Sequence, residues 1–496
     1  MRLIKYSFNN FFPALVARIS GLLRDIILAK YIGAGIILDI FVFALKLPLS
    51  FERSVSGETF NSAFMPVFFS SGNDKHQRYY FAKKLLLSLV ILFSPVVILV
   101  EIFIPEILAL TPFSSMNDRD FLLLVDIARI LFPYLIFMLI SSVFCGILMA
   151  NNKFIIPASL NAIINFSIII LAYLSSNNDL EEILYSISWA VILGGFLQVF
   201  ILFFSVGSNV WKSFFRKINT KINIKKFYKL IWPTFLSSTF VQINVFLFLF
   251  LAAFETGAIS YLFYAERLFV LPVSLVAISI NNVLIPNFSN LIKNQDLKVV
   301  IMSQYKAINI GIYISIPLSA CLFYLSDEIV RMLFNRGNFD LESVNNVALL
   351  LRFFLVGLPF VILIKIISPI FYSIEDPMVL LKISARVFLT NILCTLVLFN
   401  YFGLVGIPIA LSFSFAINFL LILNEQRKRE YFLFNRTQII YLSKSILLSI
   451  FLVATLMIHE TLFLGDTIIN FISKTFLLIL IWVFWMIKFE KNILLD

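Results

Sequence analysis

Charge is scarce in this chain: Asp, Glu, Lys and Arg make up 14% of its 496 residues, against about a quarter in soluble domains. Water is therefore not its main solvent. Histidine is scarcer still, with only His76 and His459, far apart in expected loops, which leaves a histidine metal site or a Ser/His/Asp triad without parts. Cys145, Cys321 and Cys394 lie in apolar stretches without disulfide or metal-ligand spacing and are expected to be packing residues. No Walker-type glycine-rich loop occurs, which argues against a nucleotide-driven pump. The N-terminus lacks the apolar core and cleavage site of a signal peptide, since Arg18 and Arg24 interrupt it, and a retained first helix is expected.

What the chain has instead is hydrocarbon: 60% of its residues are hydrophobic, 57 of them Phe, and apolar runs near the twenty residues that cross about 30 Å of bilayer recur throughout. Punctuation by polar residues gives about fourteen spans, centred on 8–32, 36–69, 82–110, 122–149, 155–174, 183–207, 227–252, 258–289, 304–326, 343–372, 379–400, 404–424, 438–458 and 467–487. The net charge of +11 comes from basic residues in loops that fall on one side, around Lys75–Lys84, Lys212–Lys229 and Arg427–Arg436. That pattern is membrane topology and not a nucleic-acid face. It puts both termini in the cytoplasm, with Asp179, Glu181, Glu182, Glu255, Glu460 and Asp466 outside and Arg331 and Arg336 as outer exceptions.

The spans repeat. Gly33-Ala34-Gly35 opens the second and Thr256-Gly257-Ala258 the eighth; Asn61–Pro66 parallels Asn281–Pro286; Arg129–Pro133 followed by Ala150–Pro157 parallels Arg352–Pro359 followed by Tyr372–Pro377. Six spans are followed by six more in the same orientation, so the copies are related by an axis along the membrane normal. The expected fold is an all-α integral membrane protein of about fourteen transmembrane helices, two six-helix lobes in pseudo-two-fold symmetry plus two C-terminal helices. Its expected divisions are lobe 1–207, basic cytoplasmic linker 208–226, lobe 227–424, basic cytoplasmic loop 425–437 and the extra pair 438–496. The second span, about 34 residues or roughly 51 Å, is too long for the bilayer and is expected to bend at Pro48 or Gly57.

Within this apolar body, charges gather early. Arg18, Arg24 and Asp25 fall in the first span, Asp39, Lys46, Arg53 and Glu58 in the second, and Glu266 and Arg267 in the eighth. Each costs about 2.5–3.5 kcal/mol at mid-bilayer on insertion scales, so each requires a reason. Asp39, Lys46 and Arg53 are seven apart and form one stripe, while Gly21 allows the first helix to bend or approach a neighbour. Pairing between helices accounts for part of the set, with Asp25 and Asp39 neutralising arginines, but Arg18, Arg24, Lys46, Arg53 and Arg267 outnumber the acids. A cationic surplus in a wet cavity binds an anion, and the planar guanidinium suits phosphate. Asn161, Asn165, Asn391 and Asn418 read as interhelical hydrogen-bond partners.

The runs Ala17-Arg-Ile-Ser-Gly-Leu-Leu-Arg-Asp25, Gly33-Ala-Gly-Ile-Ile-Leu-Asp39 and Ala44-Leu-Lys-Leu-Pro48 resemble the MurJ/MviN lipid II flippases of the MOP exporter superfamily. The resemblance continues through Phe60–Pro66, Tyr264–Leu268, Leu333–Phe339 and Phe371–Pro377. It implies two six-helix lobes around a cavity and a final helix pair forming a groove for the lipid tail. It also implies that Arg18, Arg24, Arg53 and Arg267 hold the pyrophosphate of lipid II, with Asp25, Asp39, Lys46, Glu58 and Glu266 gating or balancing charge. Glu52-Arg53 and Gly57-Glu58 stand where the family often has paired arginines and then Glu-Gly.

The expectation is thus an inner-membrane lipid II flippase working by alternating access, a monomer with lipid II and membrane lipids as partners. It needs no cofactor and is reset by the membrane potential or a cation gradient, one charge through 100 mV being worth about 2.3 kcal/mol. The alternatives are another MOP exporter, carrying a different undecaprenyl-linked oligosaccharide or a drug, and a membrane glycosyltransferase acting on lipid II. A drug exporter favours acidic cavity groups, against which the cationic surplus argues, and a glycosyltransferase wants a long outer loop bearing a catalytic carboxylate, whereas no outer loop here exceeds about fifteen residues.

Overall fold

The structure is a computed structural model. It describes residues 2–489 except 56, 73, 216–223, 275–296, 374, 375, 377, 430–435 and 463–467. Among the described residues every regular element is helical. Near the N-terminus come α1 (Arg2–Tyr31), α2 (Ile36–Val55), α3 (Gly57–Ser70), α4 (Lys75–Ala109), α5 (Asp118–Leu131) and α6 (Tyr134–Ala150). Then follow α7 (Ile155–Leu174), α8 (Leu180–Ser205), the short α9 (Ser208–Phe215), α10 (Lys225–Ala252) and α11 over residues 258–274. The remainder is α12 (Leu297–Tyr324), α13 (Ser326–Phe334), α14 (Leu341–Val356), α15 (Leu358–Ile367), α16 (Pro369–Ser373), α17 (Met378–Phe402), α18 (Gly406–Lys428), α19 (Arg436–Leu462) and α20 (Ile468–Phe489).

Joined across their breaks, these helices follow the spans expected from hydropathy. Eight stretches among the described residues are long and apolar enough to cross a membrane, and three of them, Asp118–Ala150, Leu341–Phe371 and Met378–Lys428, contain more than one helix. Their termini are chemically marked: Asp118 and Asp120 open α5, Glu181 and Glu182 open α8, and Arg427 and Lys428 close α18, each sign opposing the local end of the helix dipole. Within the long second span Pro48 sits inside an unbroken α2, and the expected bend at Gly57 adjoins Ser56, which lies outside the described residues.

Two paired features support the internal repeat. The fourth span breaks at Phe132-Pro133, between α5 and α6, and the tenth breaks at Gly357, just before Leu358-Pro359, between α14 and α15. Likewise Gly33 and Gly257 both hold a left-handed backbone, with φ of 83° and 84°, immediately before α2 and α11. Only glycine takes that region without penalty.

The chain forms two compact units: Met1–Ser260 with Arg336–Asp340, and Tyr261–Asn335 with Leu341–Asp496. α10, which the repeat assigns to the second set of six, packs against α2 and α3 in the first unit. In that unit Phe60, Phe64 and Phe68 stack along one face of α3 at centroid separations of 5.2 Å, and Phe81 and Phe227 close over them. In the second, α19 lies along α12, with Tyr313, Leu448, Leu452, Leu456 and Leu478 buried together. Large apolar side chains are exposed along α4 and α20, as lipid contact requires: Ile91 is 71% and Ile469 79% exposed.

A charge inside this second unit was not singled out from the sequence. Lys474, in the middle of α20, is 96% buried at its side chain (4% exposed) and pairs with Glu328 of α13. Removing one partner of such a pair leaves an uncompensated buried ion at about 3–5 kcal/mol, while an apolar replacement of both is often neutral. Glu328→Leu, which strands the buried Lys474, is therefore expected to lower the thermal midpoint of the purified protein well below that of the Lys474→Met/Glu328→Leu double variant. Equal midpoints would mean that the pair carries no coupling.

Candidate functional site

The charged face of α1 is fixed by one polar residue on α7. Ala17, Ser20, Gly21 and Arg24 recur at helical spacing, so they line the α1 face that packs along α7. Asn165 meets all four. Its Nδ2 donates to the Ala17 carbonyl at 3.2 Å and to Ser20 Oγ at 3.0 Å, and its Oδ1 accepts from Arg24 Nη1 at 3.0 Å. A Cβ on Gly21 would sit 3.5 Å from Asn165 Nδ2, so the glycine lets the helices approach and α1 runs through it without a break.

Arg24 is held from its other edge by Asp25, whose Oδ1 accepts from Nε at 3.0 Å and from Nη2 at 2.6 Å. Both side chains are withdrawn from solvent, at 11% and 2% exposure. The guanidinium plane is thus clamped between a carboxylate and an amide, and its direction is set before any ligand arrives. Arg18 differs. It is half-buried, yet among the described residues it has no hydrogen-bond or ion-pair partner. A guanidinium carries five N–H donors, and leaving them without acceptors in a partly desolvated place is costly unless an anion or water takes them.

Asp39 is not the arginine counterion that the sequence suggested. Its carboxylate, 1% exposed, lies at the start of α11: Oδ2 accepts from the Gly257 amide at 2.6 Å, and Oδ1 accepts from the Ser260 amide at 2.7 Å and from Ser260 Oγ at 2.5 Å. A carboxylate satisfies the orphan amides of a helix N-terminus and meets the positive end of its dipole. Here the cap comes from a residue 218 positions away from Gly257.

The other expected residues stand as follows. Lys46 is half-buried on the stripe below Asp39, and its carbonyl accepts from Ser50 Oγ at 2.7 Å. The side chains of Arg53 and Glu58 lie outside the described residues. In the second unit Glu266 is half-buried, and Arg267 is exposed with its guanidinium 5.1 Å from the centre of the Phe263 ring, a cation–π distance. Asn391 is buried on α17, where it accepts from Thr395 Oγ1 at 3.3 Å.

A family model described as "Lipid II flippase MurJ" matches residues 28–481. Two relatives, each described as a probable lipid II flippase MurJ, are 30% identical to this chain. One is from Buchnera aphidicola subsp. Schizaphis graminum (433 residues; 85% of this chain and 83% of the relative), the other from Rhizobium meliloti (419 residues; 82% and 77%). A solved structure of lipid II flippase MurJ in an inward closed conformation superposes with a TM-score of 0.82 at 26% identity, covering 99% of this chain and 100% of that one. A multidrug resistance MATE family transporter of the MOP superfamily, in an inward-facing conformation, shares the fold at a TM-score of 0.64 and 13% identity.

Proposed function

We propose how the charged helices work from the premise that this chain belongs to the MurJ family of lipid II flippases. It is a multi-pass inner-membrane transporter and not an enzyme; its substrate is lipid II, and its place is in peptidoglycan synthesis.

In our reading Arg18 and Arg24 bind the pyrophosphate of that substrate, with Arg53 and Arg267 completing the set. The observation that carries it is the contrast on α1: Arg24 is oriented by Asp25 and Asn165, and Arg18, without an acceptor among the described residues, offers its donors one helical stretch away. Arginine stays charged in such a place and binds a phosphate oxygen pair through two parallel hydrogen bonds. Asp25 limits the cost of carrying two arginines through the bilayer, and Lys46, Glu58 and Glu266 adjust the remaining balance.

The cycle is alternating access, with the two six-helix repeats rocking about this site while α19 and α20 accompany the polyprenyl tail in lipid. The basic loops put both termini in the cytoplasm and the turns containing Gly33 and Gly257 at the outer face. There Asp39 seals the outer end by capping α11, and transport requires that cap to be given up and remade. Membrane potential or a cation gradient resets the empty carrier, which works as a monomer.

The test replaces an essential flippase in a depletable bacterium with this chain and follows lipid II exposed on the outer leaflet. Restored growth and exposure are expected; an inserted, abundant protein that restores neither would overturn the assignment.

A further inference from the structure

The C-terminal end of α1 is finished by a residue from the far side of the sequence. A helix leaves its last carbonyls without intrahelical donors. Leu28 O receives Ile32 N at 2.9 Å and Gly33 N at 3.1 Å, the ordinary local closure. Lys30 O and Tyr31 O receive theirs from Asn338, through its backbone amide at 3.0 Å and its Nδ2 at 2.7 Å, the latter across 307 positions.

The fit is reciprocal and excludes side chains at two glycines. A Cβ on Gly337 (φ 63°) would stand 2.0 Å from Lys30 O, and a Cβ on Gly33 (φ 83°) would stand 2.4 Å from Asn338 O. Phe339 beside them is 1% exposed. The docking is deep enough that Arg336–Asp340 belongs to the first compact unit, although the chain before and after it belongs to the second. Asn338 itself is exposed, so water can take over both carbonyls when it leaves, at small net cost.

We propose that the Asn335–Asp340 turn is a releasable latch on the outer end of α1, closed by the Gly33–Gly337 interlock, and that each transport cycle must undo it. This rests on the reading above for which end faces outward and for what is carried. The sequence motif Leu333–Phe339 then has a mechanical purpose: glycine where two backbones touch, asparagine where two carbonyls need donors, and phenylalanine as the buried anchor.

The test uses the full chain with Cys145, Cys321 and Cys394 replaced by alanine, and adds Tyr31→Cys together with Asn338→Cys. Oxidation is expected to cross-link the pair and to lower outer-leaflet lipid II exposure at least tenfold, with recovery on adding reductant and no loss in either single-cysteine chain. Quantitative cross-linking with unchanged exposure, or no cross-link at all, would overturn the latch. In a second arm, Gly33→Ala should raise the labelling rate of Asn338→Cys by a membrane-impermeant maleimide several-fold, and equal rates would count against it. The two readings fail separately: a cysteine-free parent that never restores exposure strikes the substrate assignment, while labelling and cross-linking still judge the latch.

Discussion

Arg18→Ala and Arg24→Ala are each expected to abolish rescue of a flippase-depleted cell, but to differ sharply in what they do to the folded protein. Charged hydrogen bonds are worth about 1.5–3 kcal/mol each, so losing even one of an arginine's two bonds to a pyrophosphate weakens binding roughly ten- to a hundredfold. Arg18 has no acceptor among the described residues, so its removal should leave the melting temperature unchanged or slightly raised. Arg24 neutralises a carboxylate that is 2% exposed and donates a hydrogen bond to Asn165, so its removal strands Asp25 and costs about 3–5 kcal/mol of stability. Arg24→Lys should fail as well, because an ammonium cannot meet Asp25 and Asn165 in one plane. Thermal melts in detergent beside outer-leaflet lipid II assays separate the two. Full rescue by both alanine variants would reduce these arginines to helix glue.

The second large effect is expected at Asp39. Its carboxylate takes three donors from Gly257 and Ser260, all buried, and an asparagine keeps one acceptor oxygen while turning an amide N–H toward a backbone N–H. A buried donor left without an acceptor costs about 1–3 kcal/mol. The expected order of destabilisation is Asp39→Ala, then Asp39→Asn, then Ser260→Ala, which loses only the hydroxyl bond. If closure of the outer end depends on this cap, Asp39→Asn should also make that end more reactive to impermeant thiol reagents at a nearby engineered cysteine. A Ser260→Ala chain less stable than Asp39→Ala would contradict the capping account.

The fold was legible because the bilayer imposes a coarse code: helix length, loop charge and repeat order follow from hydrocarbon thickness and backbone hydrogen bonding. Asp25 was legible too, since its partner is its own neighbour. Asp39 was misread because opposite charge in one stripe suggests an ion pair, whereas its partners are backbone amides near Gly257, and amides carry no residue signature. Asn165 was recognised as an interhelical residue, but nothing in one sequence says which helix it faces. Lys474 offers the same signal as Arg18, a charge in an apolar run, but its partner Glu328 lies 146 positions away and no spacing in the sequence points to it. Pro48 shows that a proline inside a membrane helix need not end it.

The phenylalanines of α3 bear on how that helix can move. Phe60, Phe64 and Phe68 are stacked ring on ring and walled in by Phe81 and Phe227, so no one of them can turn without displacing its neighbours. α3 is thus a stiff rod over the stretch from Phe60 to Phe68. It can shift only as one body, so a small residue in place of Phe64, the ring in the middle of the stack, loosens the whole rod.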